Sequence, residues 1–337
     1  YTPEYWAALV DDQDHGLGIF EPGVGFYSGG FAARPDRDGT DKGRGGPKDF
    51  ATGHMAPRVR DVIDHNIDYT YQYTLIVGSL EDIREYVYAQ GRPASIPHWE
   101  FKSDRQHWLY QNTTDTGWPI EGCLEVNMGP EDARVLGPQV LWKAEDAPKL
   151  YLKAAFETKA KEIVVSLHPF EEADRMDWDQ WGDNSRPSRG KGMEVTVPIK
   201  GDGRIRTLEN DLSREAQYTG SMTQLKIQLP AMEGMARIFA VGFKDPYLWT
   251  FDCGYEDWNE RIVGMEHIYT GENGGVKISN LHQGHLLSKT GMALDASLRD
   301  QLAIGIQVKN PPAERMKGQL INRSAGTETF DFRWNAN

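Results

Sequence analysis

Two tryptophans three residues apart, Trp178 and Trp181, lie in a run that also carries Arg175, Arg186, Arg189 and Lys191. An indole covers the apolar face of a sugar ring, and a guanidinium pairs through two parallel hydrogen bonds with a carboxylate or sulfate. Together these side chains read as a surface for an anionic saccharide. The competing reading packs both indoles beneath their own loop as a small satellite core. A second group, His54, Arg58 and Arg60, with His65 nearby, offers a base and cations close together. A polysaccharide lyase needs that combination to remove a proton beside a neutralised uronate carboxylate. On a strand, positions 54, 58 and 60 share parity and would face one side. The polar outer face of an antiparallel sheet has the same composition, so a surface or structural role competes here too.

Other chemistry finds less support. No G-x-S-x-G elbow, H-E-x-x-H zinc site, Walker loop or Rossmann fingerprint occurs, and no cofactor is expected. A glycosidase needs two carboxyl groups flanking one bond, and 50 acidic residues supply many pairs without selecting one. The acidic turn DDQDHG, Asp11 to Gly16, could hold a structural calcium through its carboxylates. It lacks the full ligand spacing of a known loop, and a solvated turn is the simpler reading. Asp177, Asp179 and Gly182 imitate the opening of a calcium loop, but Trp181 takes its fifth place and Ser188 its twelfth. No metal ligands are assigned.

The elements that must position these residues are strands. Leu150, Leu152 and Ala154 alternate with Tyr151, Lys153 and Ala155, and Ile163, Val165 and Leu167 alternate with Val164, Ser166 and His168, the period of half-buried strands. YWAALV and LGIF flank the acidic turn as a hairpin, Gly25 to Ala33 and His54 to Val62 read as strands, and DYTYQYTLIV, Asp68 to Val77, reads as a further one. Ser79 caps a short helix, with Asp82 completing a capping box, Gly91 as its stop, and Ile83, Tyr86 and Val87 as its apolar stripe. RPASIP, Arg92 to Pro97, is a linker. KGDGR, Lys200 to Arg204, reads as a hairpin turn because Asp-Gly suits positive φ. Trp108, Trp118, Trp142, Trp249 and Trp258 fall on strands or strand edges, where core packing is the favoured role.

Order repeats along the chain. WLYQNTTDTGW precedes the strand pair at 151–168, and WTFDCGYEDW precedes a similar pair at 303–323, the mark of duplicated modules. The reading is an all-β chain of tandem antiparallel, jelly-roll-like β-sandwich modules with one short helix after the first domain. The domains are 1–92, 98–243 and a shorter or truncated copy at 246–337. A net charge of −13 argues against nucleic acid and anionic membrane as partners. No run of about 20 apolar residues provides a membrane-spanning helix. Cys123 and Cys253 fall at non-equivalent places in the two copies, and free buried thiols are expected rather than a disulfide.

At several points the chain resembles β-sandwich accessory modules of large bacterial polysaccharide-degrading enzymes. The carrying residues are Gly117-Trp118, AEDAPKLYLKAAFET from Ala144, VPIKGDGRIRTLENDL from Val197 and YTGSMTQLKIQLP from Tyr218. YWAALVDDQDHGLGIFEPG and YTYQYTLIVGSLEDIREYVY are similar to β-rich domains that precede such modules. The resemblance implies a carbohydrate-binding or spacer region of a secreted or periplasmic, multidomain enzyme acting on an anionic polysaccharide. It transfers no catalytic residue. Two alternatives stay open: part of the catalytic unit of a glycoside hydrolase, favoured over a polysaccharide lyase, or a purely structural interaction module.

Overall fold

The computed structural model describes residues 2–34, 50–90, 96–170, 192–248, 267–270, 276–279, 316–322 and 326–332. The chain divides into two units, Tyr1–Leu294 and Asp295–Asn337. Antiparallel strands build the chain, which is all-β, with one α-helix among the described residues.

The N-terminal part of the first unit opens on a hairpin of β1 (Trp6–Val10) and β2 (His15–Phe20), paired from Trp6↔Phe20 to Val10↔Gly16. Its turn is held by Asp11, whose Oδ1 accepts from the Gln13 and His15 amides at 2.9 and 3.0 Å. A second hairpin pairs β3 (Tyr27–Arg34) with β4 (Phe50–Pro57). The strand β5 (Thr74–Ser79) joins the far side of β2 and completes a three-stranded sheet. Ser79 then caps α1 (Leu80–Ala89) with the expected reciprocal capping box. The helix buries Ile83 and Val87 on the sheet, while Tyr86 is exposed and outside the expected stripe. Gly18 of β2 permits the contact: a Cβ there would lie 2.5 Å from Ile83 Cγ2.

A two-sheet sandwich follows. Its strands are β6 (His98–Glu100), β7 (Leu109–Gln111), β8 (Leu124–Met128), β9 (Arg134–Leu136), β10 (Trp142–Lys143), β11 (Lys149–Thr158), β12 (Glu162–Pro169), β13 (Met193–Pro198), β14 (Arg206–Asp211), β15 (Ser221–Gln228) and β16 (Gly234–Gly242). One sheet runs β13-β12-β15-β9-β7 with β10 also paired to β15; the other runs β14-β11-β16-β6 with β8 also paired to β16. Ile163, Val165, Leu167, Leu225 and Ile227 of the first sheet meet Leu150, Leu152, Phe156, Ala236 and Ile238 of the second in one core. Trp99 and Phe101 set their rings edge-on against Trp108, with centroids 5.3 and 5.7 Å away. Trp108 and Trp142 are core residues as expected, and Trp118 is partly buried against that core. Cys123 is free and buried.

Short hairpins β17 (His267–Thr270) with β18 (Val276–Ser279) and, in the second unit, β19 (Met316–Asn322) with β20 (Gly326–Phe332) complete the described strands. Trp249, Cys253, Trp258 and the strand expected at 303–310 lie outside the described residues, while the second strand of that expected pair coincides with β19.

Three sequence expectations change. The strand carrying His54 ends at Pro57, so Arg58 and Arg60 follow it outside the ladder and the shared-parity argument does not reach them. Pairing in DYTYQYTLIV starts only at Thr74, and 68–73 joins no ladder. KGDGR is not a hairpin turn: β13 before it and β14 after it belong to different sheets. Instead Asp202 forms an isolated bridge with Glu157 and takes Arg206 as its ion-pair partner at 2.5 Å. That guanidinium and the Arg204 amide hold its carboxyl far below the ordinary range.

Candidate functional site

The feature that distinguishes the N-terminal part is a row of tyrosines ahead of β5. Tyr69, Tyr71 and Tyr73 are 44, 44 and 47% exposed, which is high for aromatic rings. Tyr71 and Tyr73 sit side by side, with ring centroids 5.6 Å apart and planes inclined by 51°. Residues two apart in extended chain share a side, and Leu75 and Val77 continue the same parity as exposed apolar residues. An aromatic row of this kind, open to solvent, suits the apolar face of a flat ring ligand.

Polar groups anchor the row from behind. Tyr71 donates its hydroxyl to Glu21 Oε2 at 2.8 Å, and Tyr69 donates to Asp61 Oδ2. Asp61 also receives His107 Nδ1 at 2.8 Å on Oδ1. The two carboxyls are driven in opposite directions. Burial raises the Glu21 pKa, and the Tyr71 hydrogen bond only partly offsets it. Burial acts on Asp61 in the same sense, but hydrogen bonds from His107 and Tyr69 outweigh it and hold Asp61 below the ordinary carboxylate range. Opposed tuning of neighbouring acids separates a proton donor from a proton acceptor. The backbone contributes as well: Gln106 and His107 are consecutive non-glycine residues at φ +47° and +63°, a costly conformation that recurs at functional sites.

A buried ion-pair group fixes this loop to the sandwich. Arg105, 5% exposed, holds Asp115 with Nε–Oδ2 at 2.6 Å and Nη2–Oδ1 at 2.8 Å, and pairs with Asp64 at 2.8 Å. Tyr110 donates to Asp115 Oδ2 at 2.7 Å and the Gly117 amide to Oδ1 at 3.0 Å. Desolvation alone would weaken the Arg105 charge and raise Asp115, but their mutual pairing reverses both: the arginine is held more strongly protonated and the aspartate more strongly ionised. Asn66 Nδ2 adds a bond to the Trp118 carbonyl at 2.9 Å. The segment at 61–66, which holds the Tyr69 hydroxyl through Asp61, and the loop at 104–118 are therefore tied together.

The residues singled out in sequence are not among these. Trp178, Trp181, Arg175, Arg186, Arg189 and Lys191 lie outside the described residues. His54, Arg58 and Arg60 are half-buried on and after β4, and Arg58 spends its amide on the Phe26 carbonyl at 2.8 Å. Among the described residues no group of three or more His, Cys, Asp or Glu side chains is placed to hold a metal, and no helix is long and apolar enough to cross a membrane. Glu21, Asp61, His107 and the tyrosine row were not picked out by sequence reasoning. The signal that could have found the row is the strict Tyr-x-Tyr-x-Tyr alternation, which strand propensity explains equally well.

No protein-family model and no curated protein sequence matches the chain. Among solved structures it is similar to a glycoside hydrolase family 43 arabinoxylan arabinofuranohydrolase from Bacillus subtilis, in complex with cellotetraose: 11% identity, TM-score 0.27, over 70% of this chain and 39% of that one. It is also similar to the family 30 carbohydrate-binding module of a cellulosomal cellulase of Clostridium thermocellum, at 11% identity and TM-score 0.23, over 44% of this chain and 90% of that one. A third likeness is to carbohydrate-binding modules of the β-sandwich superfamily described as promiscuous in specificity, at 10% identity and TM-score 0.21, over 72% and 98%. Likenesses of this size carry no function across; the fold class rests on the strand pairing itself.

Proposed function

We propose that this chain is a saccharide-binding β-sandwich region of a secreted or periplasmic polysaccharide-degrading protein with further domains. The observation that carries the reading is the exposed row Tyr69, Tyr71 and Tyr73, with two of its hydroxyls anchored on carboxylates so that the rings are preorganised. Stacking supplies the affinity, and tethering to a catalytic partner raises the local substrate concentration. Titration calorimetry of the full chain with cello-, xylo- and glucurono-oligosaccharides tests it. Saturable binding that is lost in a Tyr71→Ala, Tyr73→Ala double variant supports the reading, and unchanged affinity in that variant removes it.

One observation favours a second reading, in which the same face belongs to a glycoside hydrolase. Glu21 is pushed toward its protonated form and Asp61 toward its ionised form, each suspended from one of two tyrosines in the row. Glu21 would give its proton to the glycosidic oxygen as the carbon–oxygen bond breaks, and Asp61 would take one from the attacking water. Release of new reducing ends by the chain, abolished in Asp61→Asn while binding persists, separates this reading from binding alone.

A further inference from the structure

The groups that border the tyrosine row accept hydrogen bonds far more than they donate them. Tyr69 and Tyr71 spend their hydroxyl protons on Asp61 and Glu21, so each phenol keeps only its oxygen lone pairs for a ligand. Asp61 is held ionised at neutral pH, and an ionised carboxylate only accepts. Its hydrogen bond with His107 therefore has one sense: Nδ1–H donates to Oδ1 at 2.8 Å. A neutral imidazole with its proton on Nδ1 offers Nε2 as an acceptor.

That nitrogen is open to a ligand. The His107 side chain is 26% exposed, and among the described residues Nδ1 is its one hydrogen-bonded nitrogen. Gly23, at φ +91°, comes beside the ring, where a Cβ would stand 3.9 Å from Nε2. Gly23 is two residues from Glu21, which receives Tyr71, and Asp61 receives both Tyr69 and His107, so Nε2 borders the row at the ends of two of its hydroxyls. Donors are scarce by comparison. Arg105, the cation of this group, is buried and already holds Asp115, Asp64 and the Val62 carbonyl. Among the described residues no other arginine or lysine bears on the charge of Asp61 or Glu21. Tyr73 alone in the row keeps its hydroxyl proton, since its contact is with the Tyr71 ring.

A sugar hydroxyl both donates and accepts, whereas a carboxylate or sulfate ester only accepts and brings negative charge. Against this border a hydroxyl finds acceptors for its proton. An acidic group finds the Tyr73 hydroxyl and the like charge of Asp61, and it leaves the other acceptors desolvated without donors. We propose that the tyrosine row takes neutral, hydroxyl-rich saccharides in preference to acidic ones, with His107 Nε2 as the specificity contact that accepts a hydrogen bond from a ligand hydroxyl. This preference rests on the saccharide reading above and narrows it. Arg175, Arg186 and Arg189, which pointed to an anionic ligand, lie outside the described residues.

Titration calorimetry of the full chain compares cellohexaose and xylohexaose with acidic ligands of similar length: cellohexaose carboxylated at its primary hydroxyls, oligoglucuronate and oligogalacturonate. At least one neutral ligand is expected to bind, and each acidic one about tenfold more weakly. His107→Phe keeps a flat ring but removes the acceptor, and weakens the neutral ligand by about fivefold. His107→Gln, whose side-chain carbonyl can stand in for Nε2, recovers most of that loss. An acidic ligand that binds as tightly as the neutral ones, and loses its binding in the Tyr71→Ala, Tyr73→Ala double variant, overturns the preference and leaves the saccharide reading standing. Unchanged affinity in His107→Phe removes His107 as the contact. Equal losses in His107→Phe and His107→Gln trace the effect to the missing bond with Asp61 and remove it as well. Absence of binding by every ligand removes the saccharide reading, and the preference with it.

Discussion

Replacing His168 by leucine gives a pH signature that follows directly from its surroundings. The ring is buried, its nitrogens have no hydrogen-bond partner among the described residues, and Lys226 and Arg134 stand near it, so the folded protein resists protonating it until about pH 4 instead of the ordinary 6.5. The unfolded chain takes up that proton near pH 6.5. Between the two values the unfolded state binds more protons than the folded one, and stability falls as the pH falls. At about 1.4 kcal/mol per pH unit, the depression is worth about 3.5 kcal/mol, fully present above pH 6.5 and lost as the pH falls through about 4. Carboxylates titrate in the same range, but they do so in both proteins, so the difference between wild type and His168→Leu isolates the histidine. Urea denaturation at pH 7.5, 6.5, 5.5 and 4.5 is the assay. The variant is expected to gain about 2.5 kcal/mol on wild type across that range. Parallel stability curves, or a wild type that gains on acidification, would refute the argument by showing that the folded ring accepts its proton normally.

Three further outcomes are expected. Arg105→Met leaves Asp115 buried without its guanidinium partner and lowers the unfolding free energy by about 3–5 kcal/mol, measured by chemical denaturation; a loss within error shows the pair to be dispensable. Ser79→Ala removes the acceptor that holds the Asp82 amide at 3.1 Å and costs about 1 kcal/mol, visible as faster amide exchange in the first turn of α1; unchanged exchange contradicts the cap. Single Tyr71→Ala and Tyr73→Ala changes each weaken oligosaccharide binding by about 1 kcal/mol, roughly fivefold, in calorimetry, and equal affinities would place the ligand elsewhere.

How much of this was legible in the sequence depends on the range of the interaction. Alternation exposed β11, β12 and the first hairpin because a strand's period is written in adjacent residues. The cap of α1 was legible for the same reason: Ser79 and Asp82 are three residues apart. KGDGR misled because Asp-Gly reports a tight backbone turn and not which sheet receives the strand after it. DYTYQYT misled because β propensity describes fit to a pleated surface, while a ladder needs a partner, which the chain at 68–73 lacks; its tyrosines are exposed as a result. The polar group behind them was illegible. His107 finds Asp61 from 46 residues away and Tyr71 finds Glu21 from 50, pairings that only the register and a positive-φ turn bring about. His168 had a partial signal: it stands at an outward position of β12, whose alternation is written in the sequence, but its burial belongs to the folded chain.

Calorimetric titration of the wild-type chain with the cello-, xylo- and glucurono-oligosaccharide panel, alongside the Tyr71→Ala, Tyr73→Ala double variant, decides whether the tyrosine face binds saccharide. Saturable binding to at least one member of the panel is expected, lost in the double variant while its unfolding midpoint stays at the wild-type value. Absence of binding across the panel, or binding that survives removal of both rings, would contradict it.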